Sequence, residues 1–238
     1  MQNTKLGDLA GPAATLGAGV SGGFLAGILI GGVGGRIAML VLRLTSDPGL
    51  HGVSTDDGFT IGRVSAETIF LLGVTAGLGI AGGLLYLVVR RWIPAAWRIP
   101  LSIAFFALVG GTGLVGPSEV DFSLLSPLPL AIALFVAIPA AYGAAMPWLT
   151  ERLVREGSIL RRGRWGAIVG LLPLVLMNIV GIVILAVAYG VWWAGRNGGS
   201  LVDAWRSRAT MWIGRAALVA IAVLSGVGLV RDGVDILS

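Results

Sequence analysis

A chain of 238 residues that is 56% hydrophobic and only 12% charged is far more apolar than a soluble domain, in which roughly 25% of residues are charged. Its mean hydropathy of +0.91 excludes a cytosolic single domain, a disordered chain and a nucleic-acid binder, and marks an integral membrane protein. The lack of Cys removes disulfides, thiolate nucleophiles and Cys-ligated metals, and the pI near 10.7 comes from Arg residues that mostly flank apolar runs.

A helix needs about 20 apolar residues to cross a hydrocarbon core of roughly 30 Å. Six stretches meet this: about 16–42, 67–89, 99–116, 128–149, 167–192 and 210–230. The expected fold is therefore an all-α, polytopic transmembrane helix bundle forming one domain over 1–238. The first run is too long for a cleaved signal peptide and has only Lys5 before it. Between the first two spans, Asp56-Asp57-Gly58 lies between the β-prone runs GVST and FTIG, which predicts a short outer β-hairpin near 51–62. Turn chemistry explains Asp56 and Asp57 better than a metal site, because a calcium loop needs more oxygen ligands. Pro129, Pro139 and Pro147 predict a kinked fourth span, and Asn178 can bond carbonyls freed by Pro173 in the fifth.

Arg placement sets the expected orientation. RRWIPAAWR (90–98) carries three Arg and no acid, and ERLVREGSILRRGR (151–164) carries five Arg against two Glu. Assigning both to the cytoplasm puts both termini inside, with about 10 Lys/Arg inside against 5 outside. The loop at 194–208 dissents, since Arg196, Arg206 and Arg208 would then face outward. Tryptophan prefers the headgroup level; on this reading Trp92, Trp97, Trp148 and Trp165 lie at inner ends, and Trp192, Trp193, Trp205 and Trp212 at outer ones.

The first span carries Gly19, Gly23, Gly27, Gly31 and Gly35 at strict intervals of four, a row about 24 Å long at 1.5 Å per residue. In lipid such small-residue rows let backbones approach closely, so another helix must fill the groove. Packing against the second span, which repeats the theme with Gly73, Gly77 and Ala81, is the simpler reading; self-association as a homo-oligomer is the other. The G-x-G-x-x-G matches at 17–22 and 77–82 lie inside apolar spans rather than between a strand and a helix, so neither reads as a dinucleotide site.

A charge inside the membrane is a functional candidate by default. Arg36 and Arg215 fall within spans, and the expected topology sets both roughly 8–12 Å deep in the outer half. Glu67, near the top of the second span, is the nearest carboxylate. Arg36, Arg215 and Glu67 thus form the candidate site for an anion or a lipid headgroup, against the simpler reading that both arginines snorkel to the interface. His51 is the one histidine and Lys5 the one lysine, which leaves no paired-His haem site and no intramembrane Schiff base. No cofactor, metal or catalytic residue is expected, and enzymatic activity is not expected.

The run GGRIAMLVLRLTSDPGLHGVSTDDGFTIGRVSAET, followed by GLLYLVVRRWIP, resembles a family of uncharacterised polytopic membrane proteins from high-GC bacteria. The likeness covers roughly residues 15–100 and implies a similar multi-span layout in the bacterial inner membrane, with no activity or site attached. Two functions are expected from the residues. One is a small oligomeric channel or transporter-like protein with Arg36 and Arg215 lining an outer-half anion path. The alternative is a non-catalytic scaffold or accessory subunit that docks membrane-protein partners or anionic lipid.

Overall fold

The computed structural model describes residues 3–45, 66–116, 127–161, 163–176 and 207–237, with the isolated positions 183, 186, 187 and 190. Among these residues the chain is helical, with no strand. Helix α1 (Asn3–Ala26) runs through a π-helical segment (Gly27–Gly34) into α2 (Gly35–Thr45). It is followed by α3 (Ala66–Val89), α4 (Arg98–Leu114), α5 (Leu128–Val154), α6 (Gly163–Leu176) and α7 (Arg208–Leu237). The hairpin expected near 51–62 lies outside the described residues.

Proline and glycine punctuate the helices. The sequence Ile93-Pro94 keeps Ile93 out of the helical region, so α3 and α4 are separate helices joined by a loop that ends in a 3₁₀ turn, Ala95–Trp97. Pro127 precedes α5 and Pro129 sits in its first turn, where a missing N–H is tolerated. Gly157 takes φ +84° just beyond α5, a left-handed value that glycine adopts freely.

By length and composition, five helical stretches are sufficient to cross a membrane: Gly11–Leu42, Ile69–Val89, Ala95–Leu114, Leu128–Arg161 and Arg208–Leu237. These coincide with five of the six expected spans. Of the remaining one, 167–192, α6 covers the part up to Leu176, and most of the rest lies outside the described residues.

The bundle is organised around α1 and α3, which pack antiparallel. A Cβ at Gly19 would fall 2.5 Å from Leu87 Cδ1, and one at Gly23 would strike the Gly79 carbonyl. One at Gly27 would strike the Thr75 carbonyl, and one at Gly31 would sit 3.0 Å from Thr75 Cβ. The facing row on α3 is Thr75, Gly79 and Gly83. That differs from the expected Gly73, Gly77, Ala81: Gly73 is exposed and faces no atom within 4 Å. Gly35, the last residue of the α1 row, likewise has open space where a Cβ would go. Residues spaced by four drift about 40° per step on a helix of 3.6 residues per turn. A π turn, closed by i→i+5 bonds, holds more than four residues and drifts the other way. The π segment thus keeps Gly31 and Gly32 turned toward α3, where Gly32 abuts Leu72.

Other helices join through similar close contacts. Gly17 of α1 lies against Gly170 of α6, where a Cβ would come within 3.1 Å of the Gly170 Cα, and Ser21 Oγ donates to the Gly170 carbonyl at 2.9 Å. Val20, Ile80 and Leu174 form a buried cluster between α1, α3 and α6. Gly143 of α5 abuts the Ser102 backbone of α4, and Tyr142 donates its hydroxyl to the Gly79 carbonyl at 2.9 Å.

The contacts of the last helix set its direction in the bundle. Gly214 of α7 lies against the Trp92 indole, and Arg215 Nε donates to the Trp92 carbonyl at 2.7 Å. Further along, Leu229 contacts Gly111, and both Leu229 and Ile236 pack on the Leu42, Val115, Ala131 cluster. Helix α7 therefore runs parallel to α4, away from the 90–98 loop. Gly19 of α1 lies level with Leu87, near that loop. Among the described residues, the start of α1 and the end of α7 therefore lie at opposite ends of the bundle. Trp212, expected at an outer end, lies beside Arg215 at the 90–98 end. Helices α6 and α7 both begin at that end, and most of the residues between them lie outside the described residues.

An alanine in a helix interior is favoured over glycine by roughly 0.5–1 kcal/mol, while overpacking a tight contact costs about 1–3 kcal/mol. Gly79→Ala should therefore lower the thermal midpoint of the detergent-solubilised protein, because the neighbour it meets is backbone and cannot rotate away. Gly73→Ala should leave the midpoint unchanged or raise it. Equal effects at the two positions would contradict the observed register of α3 on α1.

Candidate functional site

The end of the bundle at the 90–98 loop gathers most of the described charge. Tyr86, buried in α3, donates its hydroxyl to Glu151 Oε1 of α5 at 2.7 Å. Arg90, just beyond α3, reaches Glu151 Oε2 at 3.2 Å, and Arg98, at the start of α4, reaches Oε1 at 3.0 Å. One carboxylate therefore holds both ends of the α3–α4 loop and ties it to α5. Charge-assisted hydrogen bonds of this kind are roughly twice as strong as neutral ones, and the side chains involved are largely shielded from solvent. The sequence placed the 90–98 and 151–164 segments on the same side; the ion pairs join them directly.

Further basic residues surround this cluster. Arg152 stacks over the Trp148 ring at 4.6 Å, a cation–π contact. Arg91, Arg155, Arg161 and Arg208 are exposed at the same end. Among the described side chains this end holds Arg90, Arg91, Arg98, Arg152, Arg155, Arg161, Arg208 and Arg215 against Glu151 and Glu156, eight positive minus two negative, or +6. The opposite end holds Arg36 and Arg231 against Asp232 and Asp235, two minus two, or zero. Trp92, Trp97, Trp148, Trp165 and Trp212 all belong to the basic end.

Beside the cluster a cleft of about 600 Å³ opens between α3, the 90–97 loop, α4 and α7. Leu85, Val89, Phe105 and Leu218 line it together with Trp92, Trp97 and Trp212, and among the described residues Arg215 is the one charged side chain on its wall. Trp97 and Trp212 are largely exposed. The Arg215 guanidinium spends its Nε–H on the Trp92 carbonyl and lies 5.2 Å from the Trp212 ring centroid. Among the described residues no carboxylate pairs with it, in contrast to Arg90 and Arg98.

The expected Arg36–Arg215–Glu67 site is not assembled. Arg36 is half-buried in α2, beyond Gly32, which lies level with Leu72 near the start of α3. Arg215 lies level with Trp92, beyond the end of α3. The 17 residue steps from Leu72 to Val89 separate them by about 25 Å along the bundle at 1.5 Å per residue. The physical reason is the reversed direction of α7, which carries Arg215 to the basic end. Glu67 falls in the first turn of α3 at the Arg36 end, and its side chain lies outside the described residues. The ridge residues Gly19, Gly23, Gly27 and Gly31 face α3 within the chain, as described above. Sequence reasoning missed Glu151 as a centre of the basic end. The signal for it was an acid at the start of one of two Arg-rich segments assigned to the same side.

No family model, curated protein or solved structure matches the chain.

Removing the charge from Glu151 leaves Arg90 and Arg98 facing each other without a counter-ion. Glu151→Gln should lower the thermal midpoint in detergent clearly more than Glu156→Gln at an exposed position in the following turn. A hydrogen bond to a charged group is worth about 1.5–3 kcal/mol, so a shift of several degrees is expected. Equal midpoints for the two variants would show that Glu151 does not hold the loop.

Proposed function

We propose that the protein is a non-catalytic integral membrane protein of the bacterial inner membrane, a scaffold or accessory subunit whose basic, tryptophan-rich end rests on the anionic cytoplasmic leaflet. The observation that carries this reading is the asymmetry of charge between the two ends of the bundle, +6 against zero among the described side chains. Cytoplasmic segments carry the excess of Lys and Arg, and a basic residue near an anionic leaflet contributes about 1 kcal/mol of attraction. Five tryptophans at the same end suit the headgroup layer, where the ring is buried and the N–H stays hydrated. The resemblance of residues 15–100 to polytopic membrane proteins of high-GC bacteria fits this reading and adds no activity to it.

The scaffold reading is preferred over the channel or transporter-like one because of the separation of Arg36 from Arg215. A shared anion path needs the two guanidiniums on one route, and about 25 Å of bundle lies between them. On this proposal the N-terminal end of α1 is cytoplasmic and the C-terminal end of α7 is on the opposite side.

Because the chain has no Cys, single-cysteine labelling tests the orientation cleanly. A cysteine replacing the exposed Glu156 should be protected from an impermeant thiol reagent in intact cells, and one replacing the exposed Val234 should react. Labelling of both, or of Glu156→Cys alone, would overturn the orientation.

A further inference from the structure

We propose that the cleft between α3, the 90–97 loop, α4 and α7 is a binding site for one anionic phospholipid, with an acyl chain in the cleft and the phosphate on Arg215. The inference deepens the preceding reading, resting on its placement of the basic end in a lipid leaflet. It replaces a diffuse attraction with a single stoichiometric site.

Three observations converge on this ligand. The first is shape and lining: about 600 Å³ lies within the roughly 300–1,000 Å³ typical of small-molecule sites, and the interior is almost wholly carbon. Such a space suits a hydrocarbon chain and offers nothing to a hydrated ion. The second is charge. A guanidinium within a span costs at least about 2.5–3.5 kcal/mol on insertion scales, and among the described residues Arg215 has no carboxylate to offset it. Arg90 and Arg98, close by, are both paired with Glu151. Among the described residues the Nε–H of Arg215 bonds the Trp92 carbonyl and its other four guanidinium donors remain for the planar, two-oxygen contact that Arg makes with phosphate. The third is position. Trp97 and Trp212 on the cleft wall are largely exposed, and tryptophans settle at the headgroup level, so phosphate and chain are presented at the depths where a bilayer lipid carries them. A two-chain lipid fits with its second chain left in the bilayer.

The competing account of Arg215 is snorkelling, in which the long stem lies along apolar surface and the head reaches any nearby headgroup. Snorkelling does not depend on the cleft and accepts lysine in place of arginine.

The test is a titration of the full-length protein in mild detergent with phosphatidylglycerol or phosphatidylcholine, read by native mass spectrometry. The wild type should retain one phosphatidylglycerol in preference to phosphatidylcholine. Arg215→Gln should weaken that binding at least tenfold, and Arg215→Lys should recover only part of it. Ala104→Phe, which narrows the cleft while leaving Arg215 in place, should weaken it similarly, so that one unstable variant does not decide the matter. Arg155→Gln, which removes an exposed charge from the same end, should bind as the wild type. Lysophosphatidylglycerol should compete, whereas inorganic phosphate at millimolar concentration should not. Equal losses in Arg155→Gln and Arg215→Gln would overturn the site and leave a diffuse basic surface. Unchanged binding in Ala104→Phe, full rescue by lysine, or competition by inorganic phosphate would each overturn it as well. Failure of the leaflet assignment itself appears separately, in the labelling of Glu156→Cys and Val234→Cys.

Discussion

Where Gly23 of α1 meets Gly79 of α3, no side chain separates the two backbones, and the placement of the other helices follows from that contact. In a bilayer the hydrophobic effect does not drive one apolar helix onto another; close packing and hydrogen bonds do. Glycine against glycine brings two helices nearer than any other residues allow, which increases dispersion contact along the whole row. It also exposes the Gly79 carbonyl laterally, where Tyr142 of α5 donates to it. Tyr142 in turn packs edge-on against Phe106 of α4, with centroids 5.0 Å apart. A single close crossing thus orders α5 and α4 behind it, and α6 closes on the other flank of α1 through Gly17 and Gly170.

The same crossing fixes the polar end. With α3 pinned antiparallel to α1, Tyr86 and Arg90 emerge beside the last turns of α5, within reach of Glu151. The loop that follows is short and contains Pro94, so Arg98 returns to the same carboxylate from the other side. One acid among so many arginines does not neutralise the end. It orders the loop while leaving the surface strongly basic, which suits a face lying against anionic headgroups.

The features legible in the sequence were those written in a single residue type at a fixed spacing. Glycines every four residues admit no reading except a bare helical ridge, and the Arg-rich segments at 90–98 and 151–164 marked one common side. The partner row was misread by two positions because the α3 sequence offers small residues on more than one face; Thr75, Gly79 and Gly83 are distinguished from Gly73, Gly77 and Ala81 only by what packs elsewhere on the helix. The direction of α7 was misread for a different reason. The expected alternation of spans put Arg215 at the end away from the 90–98 loop, whereas its bond to the Trp92 carbonyl places it beside that loop. Arg208 and Trp212, at the start of α7, belong with the other basic and aromatic residues. The π segment at Gly27–Gly34 was not legible at all, because it depends on the need to keep a period-four row in register with its partner.

Helix α7 is attached differently from the rest, and this makes its arginine more than a marker of membrane depth. Most of its surface is exposed apolar side chain, as in Val223, Leu224, Val227 and Val230. It meets α4 through small residues: Gly228 lies close to Thr112, and Thr112 Oγ1 is 2.6 Å from the Ser225 carbonyl. Toward the basic end its polar tie is the bond from Arg215 to the Trp92 carbonyl. The same guanidinium therefore sets the distance between α7 and the loop and faces the cleft those two elements enclose. On the proposed reading, an anion held by the guanidinium acts on the width of the cleft through the bond to the Trp92 carbonyl. On that reading occupancy and geometry are coupled through Arg215, which lies on the candidate span with the smallest buried share.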